Sequence, residues 1–447
     1  MSRRKIMSLI LMTGLVVIVF FPPVVRIDRS PYPQNPFYRQ MQQNIDHVSK
    51  VFKEPSQGLR VGYSKENITP RHPMPTAGYG NRKGAEYTSV RDSIFVRTMV
   101  IDNGIQRIAL VSADMLIFPP TVTAILREEL PRIGFSLDNT YLSATHSHNS
   151  IGGWGERLAG RIVSGAHNDS IVFSIAHAIV KSIVSASQNV LPATLKAGHL
   201  PITRAVRNRL VQKGKIDSLL RVIEVIRSDS SKLVLTSFTA HPTCLPQEDL
   251  GLSRDYPGKL IDNLEKRGYT FAIFMAGAVG SMTGRTPRVG EACINWMAED
   301  LAHALLTQRN LLTTVHGSAL VMRQIPLALR EPQLKISRDW RLSPWWFRSL
   351  FGEYPAYLTV LRIGDLVLLG TPCDFSGELT GPIDEAAARQ GLRAMITSFN
   401  GGYIGYITKD EHYDEDHSET RLMNWYGPGN GQYLLECMIQ LMEKVNP

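Results

Sequence analysis

Tyr141-Leu-Ser-Ala-Thr-His-Ser-His148 decides how this chain is read. A short apolar run leads straight into two histidines one residue apart, and Gly152-Gly153 follows. Alternate residues of an extended backbone point the same way, so His146 and His148 share one face at the end of a strand. Strand ends are where α/β proteins gather their active sites. Two imidazoles on one face suit a divalent metal, or one ligand beside one acid/base. Two structural histidines with satisfied hydrogen bonds are the plain alternative.

Outward from this strand, extended and helical patterns alternate. Strands are expected at 94–101, 108–112, 141–143, 220–226, 233–239 and 271–275, with further extended stretches at 317–323 and 358–369. Helical spacing is read at 120–130, 169–187, 257–266, 292–306 and 375–389. This alternation predicts an α/β fold of mixed α+β layers in one large domain over 59–447. No internal repeat or low-complexity tract interrupts it.

The 447 residues are enough for a large core, and 43% hydrophobic with 20% charged content is ordinary for a globular chain. The net charge of +9 is mildly basic, but no basic cluster is dense enough for nucleic acid. No protein partner is predicted.

The N-terminus carries Arg3-Arg4-Lys5 before an uncharged run, Ile6 to Val25, about long enough to span a bilayer. No small-x-small cleavage site closes that run. A retained anchor over 1–26 is therefore expected, with the globular part outside the cytoplasm, on the membrane surface. A cleaved signal and a secreted product are the alternative. Residues 27–58, polar with Pro31, Pro33, Pro36 and Pro55, read as a linker. Cys244, Cys293, Cys373 and Cys437 contain no CxxC, so a cysteine zinc site is not expected, and their pairing stays open. Trp340-Arg-Leu-Ser-Pro-Trp-Trp-Phe-Arg-Ser-Leu-Phe351 holds three of the six tryptophans. Such a composition marks either a lipid-facing rim or an aromatic plug on the core.

Several short stretches stand in a telling order. They are Val61-Gly-Tyr-Ser-Lys-Glu-Asn-Ile-Thr-Pro70, Ala77-Gly-Tyr-Gly80, Val111-Ser-Ala-Asp114 and the Thr-His-Ser-His stretch. Thr239-Ala-His-Pro-Thr243, Leu252-Ser-Arg-Asp-Tyr-Pro-Gly258, Thr371-Pro-Cys-Asp-Phe-Ser376 and Tyr403-Ile-Gly-Tyr-Ile-Thr408 follow. The ordered set resembles the neutral/alkaline ceramidase family, zinc amidases that cut the N-acyl bond of ceramide. Full-length members carry a further C-terminal immunoglobulin-like domain, which is expected to be missing here.

The resemblance implies a Zn2+ site from His146, His241, Asp374 and Tyr406. Asp374 stands where the family has glutamate, and an N-cap role would explain it equally well; Glu378 is the reserve carboxylate. His148 is implied as a substrate-contacting or acid/base histidine, and Arg204, in Pro-Ile-Thr-Arg, as a substrate contact in place of the family's Ile-Asn-Arg. The family serine of Gly-Asp-x-Ser-Pro-Asn falls within Gly280-Ser-Met-Thr283, so Thr283 and Ser281 are the candidate hydroxyls. This departure favours a metal-activated water over a serine nucleophile. The acidic run Asp414-Glu-Asp-His-Ser-Glu419 is a second departure, either a solvated loop or a cation site. The expected function is a zinc-dependent hydrolase of ceramide or a related lipid amide. The alternatives are a zinc hydrolase of another amide or ester, and a non-catalytic lipid- or glycan-binding relative.

Overall fold

A computed structural model describes residues 22–50, 55 and 57–446. Most of the uncharged N-terminal run lies outside the described residues. Eight principal strands make the larger sheet: β1 Arg60–Asn67, β2 Phe95–Asp102, β3 Arg107–Ala113, β4 Thr140–Ala144, β5 Leu191–Pro201, β6 Leu219–Arg227, β7 Lys232–Phe238 and β8 Phe271–Ala276. They run in the order β8-β7-β6-β5-β1-β2-β3-β4, and a short ninth strand, Thr313–Thr314, pairs with β5. The smaller sheet is β9 Leu320–Pro326, β10 Tyr357–Ile363, β11 Leu366–Thr371 and β12 Arg393–Ser398, in sequence order.

Period-two alternation explains how the sheets stack. On β7, Leu233 and Leu235 join the core between the sheets, where Leu361, Ile363 and Leu368 meet them. Val234, between them in sequence, joins the core under the helices. Among the described residues, nine of the ten α-helices, all but the single turn Ser418–Arg421, flank the sheets: α1 Pro36–Asp46, α2 Pro120–Glu129, α3 Leu158–Ser164, α4 Asp169–Gln188, α5 Asp255–Lys266, α6 Glu291–Thr307, α7 Pro344–Phe351, α8 Thr380–Arg389 and α9 Asn430–Lys444. Helices α4, α5 and α6 share a core with the large sheet, while α1, α8 and α9 share one with the small sheet. The result is a four-layer α/β/β/α domain. Each fully buried Leu or Ile contributes roughly 1.5–3 kcal/mol toward holding these layers together.

Among the described residues, α4 is the helix long and apolar enough to cross a membrane. Its Ile171, Ile175, Ile179 and Ile183 are buried in the core, so it serves here as a packed helix.

Two differences from the sequence reading have plain causes. The stretch read as a linker contains α1, whose Met41 and Ile45 are buried against the small-sheet core. Its prolines hide a Phe37, Met41, Ile45 spacing that is helical. The single extended stretch at 358–369 is two strands, β10 and β11, paired antiparallel through the Gly364-Asp365 turn.

Each sheet contains parallel pairs whose carboxyl ends meet. Strand β4 runs parallel to β3, β7 to β8, and β11 to β12. The two ends of the large sheet also approach each other: Ser112 of β3 donates to the Phe274 carbonyl of β8 at 2.6 Å. Ser143 at the end of β4 donates to the Ser398 carbonyl, and Ser398 Oγ donates to the Gly277 carbonyl after β8. The loops that leave β4, β7, β11 and β12 therefore converge on one place.

Candidate metal centre

The β4 loop delivers His146 in a left-handed conformation, φ 65°, which non-glycine residues rarely hold. Its backbone N–H is fixed to the Met115 carbonyl at 2.9 Å. Such strain persists only where the surroundings over-determine it. Phe399, leaving β12 with φ 68°, stacks its ring on His146 at 4.3 Å and 13°. His148 follows two residues on, with its carbonyl accepting from Arg82 Nη1 at 2.6 Å. At Gly78, with φ +138°, a Cβ would lie 2.4 Å from that same carbonyl, so only glycine fits there.

His241 leaves β7 and is held from three sides. Asp255, at the start of α5, accepts the N–H groups of Cys244 and Leu245, at 3.0 and 3.4 Å. Tyr256 OH donates to the Ala240 carbonyl. A disulfide joins Cys244 to Cys293 of α6, while Cys373 and Cys437 are free and buried. The Leu252–Gly258 motif thus orders the histidine loop.

The three histidines face one another through Nε2. The separations are 2.8 Å for His146–His241, 2.9 Å for His148–His241 and 3.3 Å for His146–His148. Tetrahedral ligation with Zn–N bonds of about 2.0–2.1 Å sets ligand nitrogens about 3.3–3.4 Å apart, so this group is compact enough for a small divalent cation. Among the described residues it is the one cluster of His, Cys, Asp or Glu side chains with this spacing.

Asp374 and Tyr406 are neighbours on a short parallel ladder, Asp374 opposite Tyr406 and Phe375 opposite Ile407. Asp374 Oδ1 lies 3.2 Å from His146 Nε2, and Tyr406 OH lies 3.4 Å from His241 Nε2. Gly280 lets the 277–283 loop press against this ladder, because a Cβ there would meet the Asp374 carbonyl at 2.3 Å. The donor set fits a cation on two counts. Asp374 Oδ1 is buried and, among the described residues, accepts no hydrogen bond, while Tyr403 OH holds Oδ2 at 2.8 Å. His146 Nδ1 sits 2.6 Å from the Leu116 carbonyl and His241 Nδ1 3.3 Å from the Val279 carbonyl. Each Nδ1 therefore carries the proton, and each Nε2 lone pair faces the cluster, as ligating histidines are ordinarily fixed.

Electrostatics agree. Burial first, and then the neighbouring histidines and Arg209, hold His241 and His148 well below the usual imidazole range. Both are neutral near pH 7 and able to donate a lone pair. His148 differs in one respect: its Nδ1 is buried without a partner.

The remaining expected residues are placed as follows. Ser281 is buried, its Oγ 2.7 Å from Ser376 Oγ, so it braces the turn that carries Asp374. Thr283 is partly exposed and forms a backbone bridge with His241. Arg204 does not join the histidine group; its exposed guanidinium pairs with Asp300 of α6. The arginine at the site is Arg209, whose Cζ lies 5.5 Å from the Tyr406 ring centroid and whose Nη2 donates to the Gly280 carbonyl at 3.0 Å. The signal for it was the Asn208-Arg209 pair, which supplies the asparagine that Thr203-Arg204 lacks. Glu378 sits apart, 3.3 Å from His412 Nε2. The acidic run is drawn into ion pairs, Asp414 with Arg29 at 2.7 Å and Glu419 with Arg209 at 3.0 Å.

Residues 59–295 match the family model described as neutral/alkaline non-lysosomal ceramidase, N-terminal. The chain is also similar to a solved neutral ceramidase from Pseudomonas aeruginosa, at 18% identity and a TM-score of 0.73, covering 88% of this chain and 76% of that one. A ceramidase solved in complex with C2 matches at 17% identity and a TM-score of 0.73, covering 87% of this chain and 75% of that one. At these identities the likeness is one of fold.

Proposed function

Because the chain belongs to the neutral/alkaline non-lysosomal ceramidase family, we propose that it is a zinc amidase that hydrolyses the N-acyl bond of ceramide or of a related lipid amide. The observation that carries this reading is the convergence of the His146 and His241 Nε2 atoms with a buried Asp374 oxygen that, among the described residues, accepts no hydrogen bond, with His148 Nε2 beside them. His146, His241, Asp374 and Tyr406 would hold the cation. When bound, it would supply Lewis acidity, activating water and polarising the scissile carbonyl.

The chain's own residues divide the remaining work. His146 and His241 have their Nδ1 protons committed to carbonyls, which suits fixed ligands. His148 has no such tie, so its ring is free to take a proton at Nε2 from the attacking water and pass it to the departing amine nitrogen. Water adds one hydroxyl to the acyl carbon and one proton to the amine, giving a fatty acid and a free amine. Arg209 braces the Gly280 carbonyl and the Tyr406 ring, keeping the phenol aimed at the cluster. Ser281, committed to Ser376, is a positioning group in this scheme.

The globular domain is proposed to lie outside the cytoplasm, tethered by the N-terminal run. The Cys244–Cys293 disulfide supports an oxidising compartment. A second reading, hydrolysis of a different amide or ester, is favoured by Glu419, which already neutralises the site arginine. Metal analysis of purified protein, followed by fatty-acid release from labelled ceramide, tests the first reading. Bound zinc with no release from ceramide, but turnover of a simpler amide or ester, would select the second.

A further inference from the structure

Several adjoining elements near the histidine site carry exposed apolar side chains. Leu158 and Ile162 of α3, Trp345 of α7, Trp340 and Leu422 are between 41% and 56% exposed. They belong to adjoining elements. Helix α3 packs beside α7, and Tyr354, just after α7, donates to Glu156, just before α3, at 2.9 Å. Leu422 accepts at its carbonyl from Trp425 Nε1, and the Trp425 ring packs on Phe351 of α7 at 5.1 Å.

This surface is joined to the site from two sides. On one, Trp425 packs on Tyr403 at 5.2 Å, and Tyr403 holds Asp374. On the other, Ile162 Cγ2 lies 3.6 Å from where a Cβ of Gly80 would be, in the turn that leads to Arg82 and its bond to the His148 carbonyl. An exposed Leu is ordinary; exposed Leu, Ile and Trp side chains gathered on adjoining elements mark an interaction surface.

The course of the chain says what covers it. The uncharged run Ile6–Phe21 leads into Pro22, and Val24–Arg26 pairs antiparallel with Trp340–Leu342, immediately before α7. Arg26 lies over the Trp340 ring at 5.8 Å. Tryptophan with arginine, beside the exit of an apolar segment, is the composition found at the boundary between lipid and water.

We propose that Leu158, Ile162, Trp345 and Leu422 form a rim that rests on the surface of a phospholipid bilayer, so that a lipid amide reaches the histidine site without crossing bulk water. The proposal rests on the tethered reading above only for the side from which the bilayer approaches.

The test uses the full chain reconstituted into vesicles of phosphatidylcholine and phosphatidylglycerol. Leu158→Cys, Trp345→Cys and Leu422→Cys are made one at a time and labelled with an environment-sensitive fluorophore. Cys373 and Cys437 are buried and Cys244 is bonded to Cys293, so the introduced thiol is the exposed target. Leu311→Cys, at an exposed position beside the Thr313–Thr314 strand, is the control. Blue-shifted emission that doxyl-labelled lipid quenches is expected at the three rim positions, with a water-like spectrum at Leu311. Water-like spectra at all three would overturn the proposal. So would a blue shift that needs no vesicles and grows with protein concentration, since that assigns the face to a second copy of the chain. If the full chain stays soluble at its uncleaved mass, the tether fails alone. The same labels are then read with vesicles added from outside.

Discussion

Removing one phenol oxygen should weaken a cation that it never touches. Tyr403 OH donates to Asp374 Oδ2 at 2.8 Å, and the Asp374 side chain is fully buried. Tyr403→Phe deletes that bond but leaves the ring, which packs on Trp425 at 5.2 Å. A hydrogen bond to a buried charge is worth roughly 1.5–3 kcal/mol. Spent on aiming the carboxylate, this corresponds to about a 10–100-fold loss of cation affinity, the range seen when outer-shell partners of metal ligands are removed. The cation-free fold should weaken too, because a buried carboxylate oxygen loses its donor. Two measurements separate these effects. Competition with a chelating indicator gives the zinc affinity, and urea unfolding with and without saturating zinc gives the cation's share of stability. At fixed zinc, a hundredfold weaker site gives up about 2.7 kcal/mol of that share. Equal zinc affinity and an equal zinc increment in Tyr403→Phe and parent would refute the reasoning. Asp374 would then be no ligand, and the centre would reduce to His146, His241 and Tyr406.

His148→Ala should lower kcat by ~10²–10⁴-fold while zinc stays bound, whereas His146→Ala should lose zinc and turnover together, as read by metal analysis beside fatty-acid release. Ser281→Ala and Thr283→Ala should each retain substantial turnover; a trapped acyl-enzyme on either hydroxyl would defeat the water mechanism. Asp114, buried just after β3 with its Oδ2 accepting from the Phe95 N–H, is pushed up to about 6 by burial. Its charged form therefore opposes folding at neutral pH, and that cost disappears as pH falls through about 6 toward the unfolded value near 3.9. Urea unfolding at pH 7.5 and 5 should show parent gaining on Asp114→Asn by up to about 1.4 kcal/mol per pH unit across that window. Full-length protein should remain in the membrane fraction after carbonate washing, and a chain starting at Pro22 should be released. Deleting further, through Arg26, removes the strand paired with Trp340–Leu342 and should lower the melting temperature.

The sequence displayed most of the scaffold and half of the site's logic. Strands β2, β3, β4, β6, β7 and β8 were legible because each is a run of mostly buried, largely apolar residues bounded by polar turns. Strand β5 was not, because its exposed and buried residues interleave with Pro192 and Gly198, and its partners, not its own pattern, make it a strand. The same holds at the centre. His146 and His148 could be placed at a strand end from their spacing alone, and the ordered motifs pointed to His241, Asp374 and Tyr406. Nothing local in the sequence says that β4 and β7 end side by side, since they are separated by 95 residues between the two histidines. That proximity follows from the curl of a sheet whose opposite ends meet through Ser112 and Phe274. Arg204 was preferred to Arg209 for the same reason. Three residues separate the Thr-Arg and Asn-Arg pairs in sequence, yet β-pairing of Val206–Asn208 with Met282–Gly284 carries only the second past the bridge between Thr283 and His241. A ligand's identity is thus written locally, in a histidine after a strand or an aspartate before a turn. Its neighbours are written in strand order, which no single stretch contains.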